Sequence, residues 1–557
     1  MITVTSAAGL KSATGRHNVR WANTGCRVPS RTAGSLVLEP APAGLENDTA
    51  ELTRGAVPHD TVPRGGRLVI PRSLVLLALA ALLASCEQLP PERRIIADAA
   101  AALGGADQIQ ATETLVLVGE GRNFNLGQNP TPDSPLPEFA ITGHTLALDF
   151  ANDRWRLEQV RTAQFVTGNP TTRQIRSVDG DVAFDVAVNG AVTRTSDAEA
   201  GRRREALLHH PVGILRAAQN EGAQVGDYSE TAETASVVVT TPAGSQATLH
   251  VDRASGLPAR VVSRQAHAVL GDVDLETEFV DYAQAAGLML PTRLITRVDG
   301  RVVADIAVSN EVNGTVGNLA VPPPVLASPP AVNEPVVEVQ ELAEGVWYLA
   351  GQSHHSVAVE FADHLMLIEA PLNDARTLAV IERARTLRPE KAVTQVVMTH
   401  HHFDHAGGVR AAISEGLTIV THAGNREFLQ DLAAREHTIE PDALSASPVT
   451  PSIEVVDGER TFEDDTRTLT LYAIEGSAHC GTCLMAYLPE EGLLVEADLY
   501  SPPPPGTETP PAAPHAGVLL QNIRDRGLDV QSIVPIHGRV VPLGDLVALV
   551  QPAETTD

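Results

Sequence analysis

Positive charge is scarce in this 557-residue chain. Lysine occurs only at Lys11 and Lys391, and 41 basic residues stand against 69 acidic ones, a formal net charge of −28. Such a surface repels nucleic-acid phosphates, which argues against a nucleic-acid partner. The shortage of lysine beside plentiful arginine reads as a compositional bias with no functional content. Cysteine is rare too, at four residues: Cys26, Cys86, Cys480 and Cys483. Long apolar runs are missing. The run from Leu74 to Leu83 falls below the roughly 20 residues that a membrane-spanning helix needs. What remains is an ordinary apolar fraction of 43%, enough for most of the chain to fold, over a length that calls for two or three domains.

The apolar run lies in "RSLVLLALAALLASC", after Arg64, Arg67 and Arg72 and before the small-residue segment "LASC". A basic flank, an apolar core and a small-residue cleavage site resemble a bacterial lipoprotein signal, in which Cys86 becomes the lipidated first residue of the mature protein. Glu87 follows it, rather than the aspartate associated with inner-membrane retention. The resemblance therefore implies a lipid-anchored protein of the cell envelope, on the outer membrane and facing the periplasm. Residues 1–63 have no sustained periodicity and read as a disordered leader. A translation start nearer Val69 explains them, and then Cys26 belongs to no mature protein.

From 87 to 320 the pattern is that of strands. "PPERRIIADAAAALGG" gives a helix opened by proline and stopped by Gly104 and Gly105. Alternating stretches such as "TETLVLVGEG", "ATLHVDR" and "RLITRVDGRVVADIAV" follow, with Asp179–Gly180 and Asp299–Gly300 as hairpin turns. One helix is predicted over "DAEAGRRREALLHHPVGILRAAQ", with His209 and His210 in structural or solvated positions. The region reads as an antiparallel, curved sheet holding a helix. Its phrases "VDRASGLPARVV" and "DYAQAAGLMLPTRL" resemble the half-barrel of lipoprotein-carrier-like periplasmic domains. "VPPPVLASPPAVNEP" then marks an extended, semi-rigid proline-rich linker over 321–335.

The region 336–551 alternates strands and helices. "AVTQVVMT" reads as a buried strand, and "HHHFDHAGG" begins at its C-terminal end, where open sheets gather reactive groups. His400 and His402 are two residues apart, so an extended segment points both side chains the same way, able to hold one ion. Asp404 and His405 sit together at the following turn and can serve a second. Imidazole nitrogen and carboxylate oxygen suit zinc. Gly407 and Gly408 let the next helix pass close to the site.

The motif T-H-x-H-x-D-H-x-G-G resembles that of the metallo-β-lactamase-fold hydrolases, in the form seen in glyoxalase II. The resemblance spans roughly Val336 to Val550 and implies an αβ/βα four-layer sandwich. It implies His479 of "EGSAHCGTC" as third ligand of the first ion, Asp498 of "GLLVEADLYS" as the carboxylate bridging both ions, and His537 of "SIVPIHGR" as closing ligand of the second. The expected chemistry is that of a dinuclear zinc hydrolase whose metal-bound hydroxide attacks an ester-like bond of a small-molecule substrate, with Asp404 orienting the nucleophile. His354 and His355 of "GQSHHS" would face the site and touch substrate, while His401 points away. His422, His437 and His515 have no motif behind them. Cys480 and Cys483 form C-x-x-C beside His479, with a small disulfide as the expected role. "YSPPPPGTETPPAAPHAG" is expected to form a stiff rim at the mouth of the site.

Other activities remain open. β-Lactam hydrolases of this fold generally lack the bridging aspartate, which Asp498 supplies. Mononuclear iron persulfide dioxygenases share much of the motif and are the alternative from a different reaction class. A lipid-binding lipoprotein with a merely structural metal domain is the non-enzymatic one.

Overall fold

The computed structural model describes residues 89–551 apart from 167–168, 316, 318, 333, 505 and 507–513. The leader and the signal with Cys86 lie outside those residues. No helix among the described residues is long and apolar enough to cross a membrane. The described residues belong to one compact unit.

Period-two patterning makes the first sheet. In Thr234–Thr240, Ala235, Val237 and Val239 are buried while their neighbours stay partly open, and Gln246–Asp252 repeats the alternation. Among the described residues, thirteen strands pair antiparallel in a single sheet. Thr114–Phe124 lies between Glu138–Asp149 on one side and Arg301–Val312 on the other, so the first and last strands meet in the interior of the sheet. Its edges are Val192–Arg194 and Gln224–Glu230. The helices Pro91–Leu103 and Pro211–Gln219 bury Ile96, Leu103, Ile214 and Leu215 in one cluster with Leu117, Val237 and Leu249 of the sheet. The antiparallel, helix-holding reading of this region agrees with the structure.

Two local expectations do not. The single helix predicted around His209 is three pieces: Asp197–Glu205, a 3₁₀ turn Ala206–Leu208, and Pro211–Gln219. Pro211 lacks an amide donor and disfavours helical geometry at the residue before it, and His210 is accordingly extended at φ −142°, ψ 144°. The linker is not extended throughout either. Pro323–Leu326 is one helical turn, which prolines at its first positions permit, and it buries Val325 against Val182 and Phe184.

The second half is a four-layer sandwich. Seven strands between Glu338 and Val456 form one sheet, and six between Glu459 and Pro542 the other. Tyr348, Val359 and Val397 of the first sheet interleave with Leu471, Val495 and Val534 of the second. Helices Asp374–Leu387, Val409–Ser414 and Arg426–Ala434 contribute to a core on the first sheet, and Pro514–Asp525 and Leu543–Val550 to one on the second.

Each sheet contains a parallel pair that matters for function. His364–Ile368 runs parallel to Ala392–Val397, and Leu493–Glu496 parallel to Ser532–Pro535. Candidate ligands follow the C-terminal ends of the second, third and fourth of these strands. Gly407 and Gly408 serve packing: a Cβ at either would overlap Leu372 or Thr377 at the start of the helix Asp374–Leu387.

Two of the contacts between the thirteen-stranded sheet and the sandwich fix how they meet. In the first, Asp272, just after the turn before Gly271, accepts backbone hydrogen bonds from Thr438 and Ile439, and Asp299 of the turn after Leu288–Val298 pairs with Arg435 at 2.8 Å. The second contact is the loop between Phe124 and Glu138, which reaches the histidine cluster.

Candidate metal centre

The chain leaves the strand Ala392–Val397 through Met398 and Thr399 into three consecutive buried histidines. His400, His402, His479 and Asp498 form one group whose candidate ligand atoms all lie within 4.8 Å of one another; His354, Asp404, His405 and His537 form a second. All seven residues singled out as ligands from the sequence are thus brought together, in the predicted split of three and three around Asp498. His354 joins the second set.

Asp498 stands between the sets. Its Oδ1 lies 3.0 Å from His405 Nε2 and 2.8 Å from His537 Nε2. Its Oδ2 lies 3.0 Å from His479 Nε2 and 3.4 Å from His400 Nε2. The backbone there is left-handed, φ 67°, a conformation that a non-glycine residue adopts at some cost and that functional sites retain.

The histidines are oriented from outside. His402 Nε2 donates to the Asn129 carbonyl at 3.0 Å, His537 Nδ1 to the Ser353 carbonyl at 3.0 Å, and His405 Nδ1 to Glu369 Oε2 at 2.8 Å. His400 Nδ1 pairs with Thr399 Oγ1 at 3.0 Å and His354 Nδ1 with Ser353 Oγ at 2.9 Å. A carbonyl or carboxylate oxygen can only accept, so His402, His537 and His405 carry a proton on the outer nitrogen. The buried inner atoms His400 Nε2, His402 Nδ1 and His354 Nε2 have no hydrogen-bond partner. Buried polar atoms left unsatisfied call for an ion or another ligand, and this donor set fits divalent metal.

Electrostatics agree with that fit. Burial, then the neighbouring histidines, holds His400 well below the usual imidazole range, so it stays neutral. Burial likewise lowers His402 and brings His354 down to about 4. Burial raises the cost of a charged Asp498, yet His405 and the other surrounding histidines outweigh it and hold the carboxyl well below its ordinary range. His405 is the exception: burial opposes its charge, but Asp498 and Glu369 overcome this and raise it.

His355 braces its own loop, accepting from the Gly351 amide at 3.0 Å with its ring 4.9 Å from Tyr348. His401 is buried, with Nδ1 3.4 Å from Thr482 Oγ1, and burial pushes it down to about 3. Cys480 and Cys483 are disulfide-bonded and buried, closing a tight loop directly after His479. Most of the proline-rich stretch lies outside the described residues. Its described ends flank the site: Pro502 lies against Gly538, and His515 brings its ring to 5.4 Å from that of His479.

Glu369, Gln128, Asn129 and His515 were not found from the sequence. Glu369 carried a faint signal, an acidic residue ending an apolar strand paired in register with the one that leads to the histidines. Gln128 and Asn129 carried none, and His515 only its place in the proline-rich stretch expected at the mouth.

Residues 350–535 match the sequence profile described as the metallo-beta-lactamase superfamily. The C-terminal part of the chain is therefore a metallo-beta-lactamase-fold domain with histidine and aspartate clusters able to bind metal. Among solved structures, a metallo-beta-lactamase from Pontibacter korlensis is 19% identical, covering 39% of this chain and 99% of its own, with a TM-score of 0.31. The metallo-beta-lactamase FIM-1 from Pseudomonas aeruginosa, in its mono-zinc form, is 20% identical over 39% of this chain and 96% of its own, with a TM-score of 0.30. A search of curated proteins gave no match.

Proposed function

We propose that the chain is a dinuclear, zinc-dependent hydrolase of an ester-like bond in a small molecule, such as a thioester or lactone. The observation that carries this reading is Asp498, whose two oxygens face two separate nitrogen-rich sets at 2.8 to 3.4 Å. One carboxylate shared in this way suits a pair of cations, and chemistry carried by an ion-activated water needs no protein nucleophile. Bound ions supply Lewis acidity and an activated water for attack on a carbonyl.

The chain's own residues do the rest. His400, His402 and His479 hold the first ion, and Asp404, His405 and His537, with His354 beside them, hold the second. Asp404 orients the attacking water. Substrate enters over His479 and His537, whose side chains are 21% and 23% exposed, because His400 and His405 on the inner side are fully covered. His515 lies on that open side and meets the substrate.

From the signal-like segment that ends at Cys86, followed by Glu87, we also propose an outer-membrane protein that faces the periplasm and is anchored by lipid on Cys86. The Cys480–Cys483 disulfide supports an oxidising compartment.

The test is a hydrolysis screen over thioesters, lactones, phosphodiesters, sulfate esters and β-lactams, using metal-stripped and zinc-restored protein. Zinc-restored turnover of an ester-like substrate is expected. Iron-dependent oxidation of a thiol persulfide, with no zinc-dependent hydrolysis, would overturn the reading.

A further inference from the structure

The loop 125–137 belongs to the thirteen-stranded sheet, yet four consecutive residues of it bond the candidate metal centre or the segments that carry its ligands. The Gly127 carbonyl accepts from the Phe403 amide at 3.1 Å, and Gln128 Nε2 donates to Asp404 Oδ1 at 2.7 Å. The Asn129 carbonyl accepts from His402 Nε2 at 3.0 Å, and the Pro130 carbonyl accepts from the Gly481 amide at 2.7 Å. Gly127, at φ 75°, is required here because any Cβ would overlap the Phe403 ring.

The loop is braced from within. The Asn129 side chain, 2% exposed, donates to the carbonyls of Thr131, Pro132 and Ser134. Ser134 Oγ in turn accepts from the Thr131 amide at 2.7 Å. A backbone fixed in this way delivers the Gln128 amide to one place.

We propose that Gln128 is a positioning residue for the second metal site, so that the N-terminal sheet completes a centre whose ligands all lie in the C-terminal sandwich. The inference rests on the two-ion reading above. With Oδ1 of Asp404 taken by the Gln128 amide, Oδ2 is the oxygen left to face His354 Nε2, 3.3 Å away, and the rest of the second set. The carboxylate is thereby held to single-oxygen ligation. A neutral amide donor fixes it without cancelling the negative charge that offsets the ion. Asn129 acts in parallel on the first set, since its carbonyl keeps the His402 proton on Nε2 and leaves Nδ1 as the ligand atom.

The test uses the full chain and three variants: Gln128→Leu, Gln128→Glu and, as a control, Asp133→Ala at an exposed position of the same loop. Zinc affinity at each site is read by competition with a chromophoric chelator, the cobalt-substituted protein by its visible spectrum, and the apo protein by its thermal midpoint. The expected result is that Gln128→Leu weakens one of two zinc sites by about 10–100-fold and alters the cobalt spectrum, with an unchanged apo midpoint. Gln128→Glu, which fills the same space but sets a second carboxylate against Asp404, alters the spectrum as well, and Asp133→Ala does neither. Normal two-site binding and an unchanged spectrum in both Gln128 variants overturn the inference alone. Equal weakening of both sites with a lowered apo midpoint also overturns it, because the loop then acts only as scaffold. A wild-type chain that binds no divalent ion overturns the two-ion reading itself, and this inference with it.

Discussion

At the scale of single residues, the inner nitrogens decide what the site can do. His354 was legible in the sequence only as a loop histidine near the site, because nothing local distinguishes "GQSHHS" from a polar turn. In the structure its Nε2 is buried, makes no hydrogen bond and lies 3.3 Å from Asp404 Oδ2, while its neighbour His355 turns back to its own loop. His354→Ala is expected to weaken the second zinc site by at least about tenfold and leave the first unchanged, as read by zinc titration against a competing chelator. His355→Ala should leave both affinities as they are. An unaltered second site in His354→Ala would remove His354 from the ligand set.

At the scale of elements, the metal ligands were legible because each directly follows an apolar strand or sits within a short motif. Strand periodicity and ligand spacing are local properties. Gln128 and Asn129 were not legible, because they reach Asp404 and His402 across 276 and 273 residues of sequence, through a docking of two surfaces that no local pattern encodes. The break in the helix at Pro211 was legible in principle, since proline excludes the geometry that a continuous helix needs.

That break also creates a buried pair with a pH signature. His209 shares hydrogen bonds with Thr277 Oγ1 at 3.1 Å and Ser263 Oγ at 2.8 Å, and burial lowers it to about 4; burial lowers His210 to about 3. Both folded values lie below the ordinary 6.5. Their stabilising contribution is therefore complete above about pH 6.5 and is lost as pH falls towards 4 and then 3, because the unfolded chain takes up protons first. Thermal midpoints measured from pH 7 to 4.5 should fall, and His209→Gln should make that fall shallower by about one proton's worth of linkage. Equal slopes in the two proteins would mean that His209 is not buried neutral.

A second element-scale prediction concerns the loop closed by Cys480 and Cys483, which holds His479 at the open side of the site. Cys480→Ser/Cys483→Ser protein should keep its fold by circular dichroism but lose affinity at the first zinc site, to which His479 contributes. Unchanged affinity would leave the disulfide with no part in positioning His479.

At the scale of the whole molecule, the chain is two β-rich halves joined by a contact that reaches the metal centre. The antiparallel half and the sandwich were both readable from alternation and motif, whereas their interlock was not. Cys86→Ser should move the protein from the membrane fraction to the soluble fraction and change its gel mobility. Unchanged fractionation would contradict the lipid anchor.

The central claim is that Asp498 joins two ion sites. Elemental analysis of the purified full-length protein, set against its concentration, tests this most directly. Two zinc ions per chain are predicted, falling to one or none in Asp498→Ala. A single iron per chain with no second ion would contradict the account.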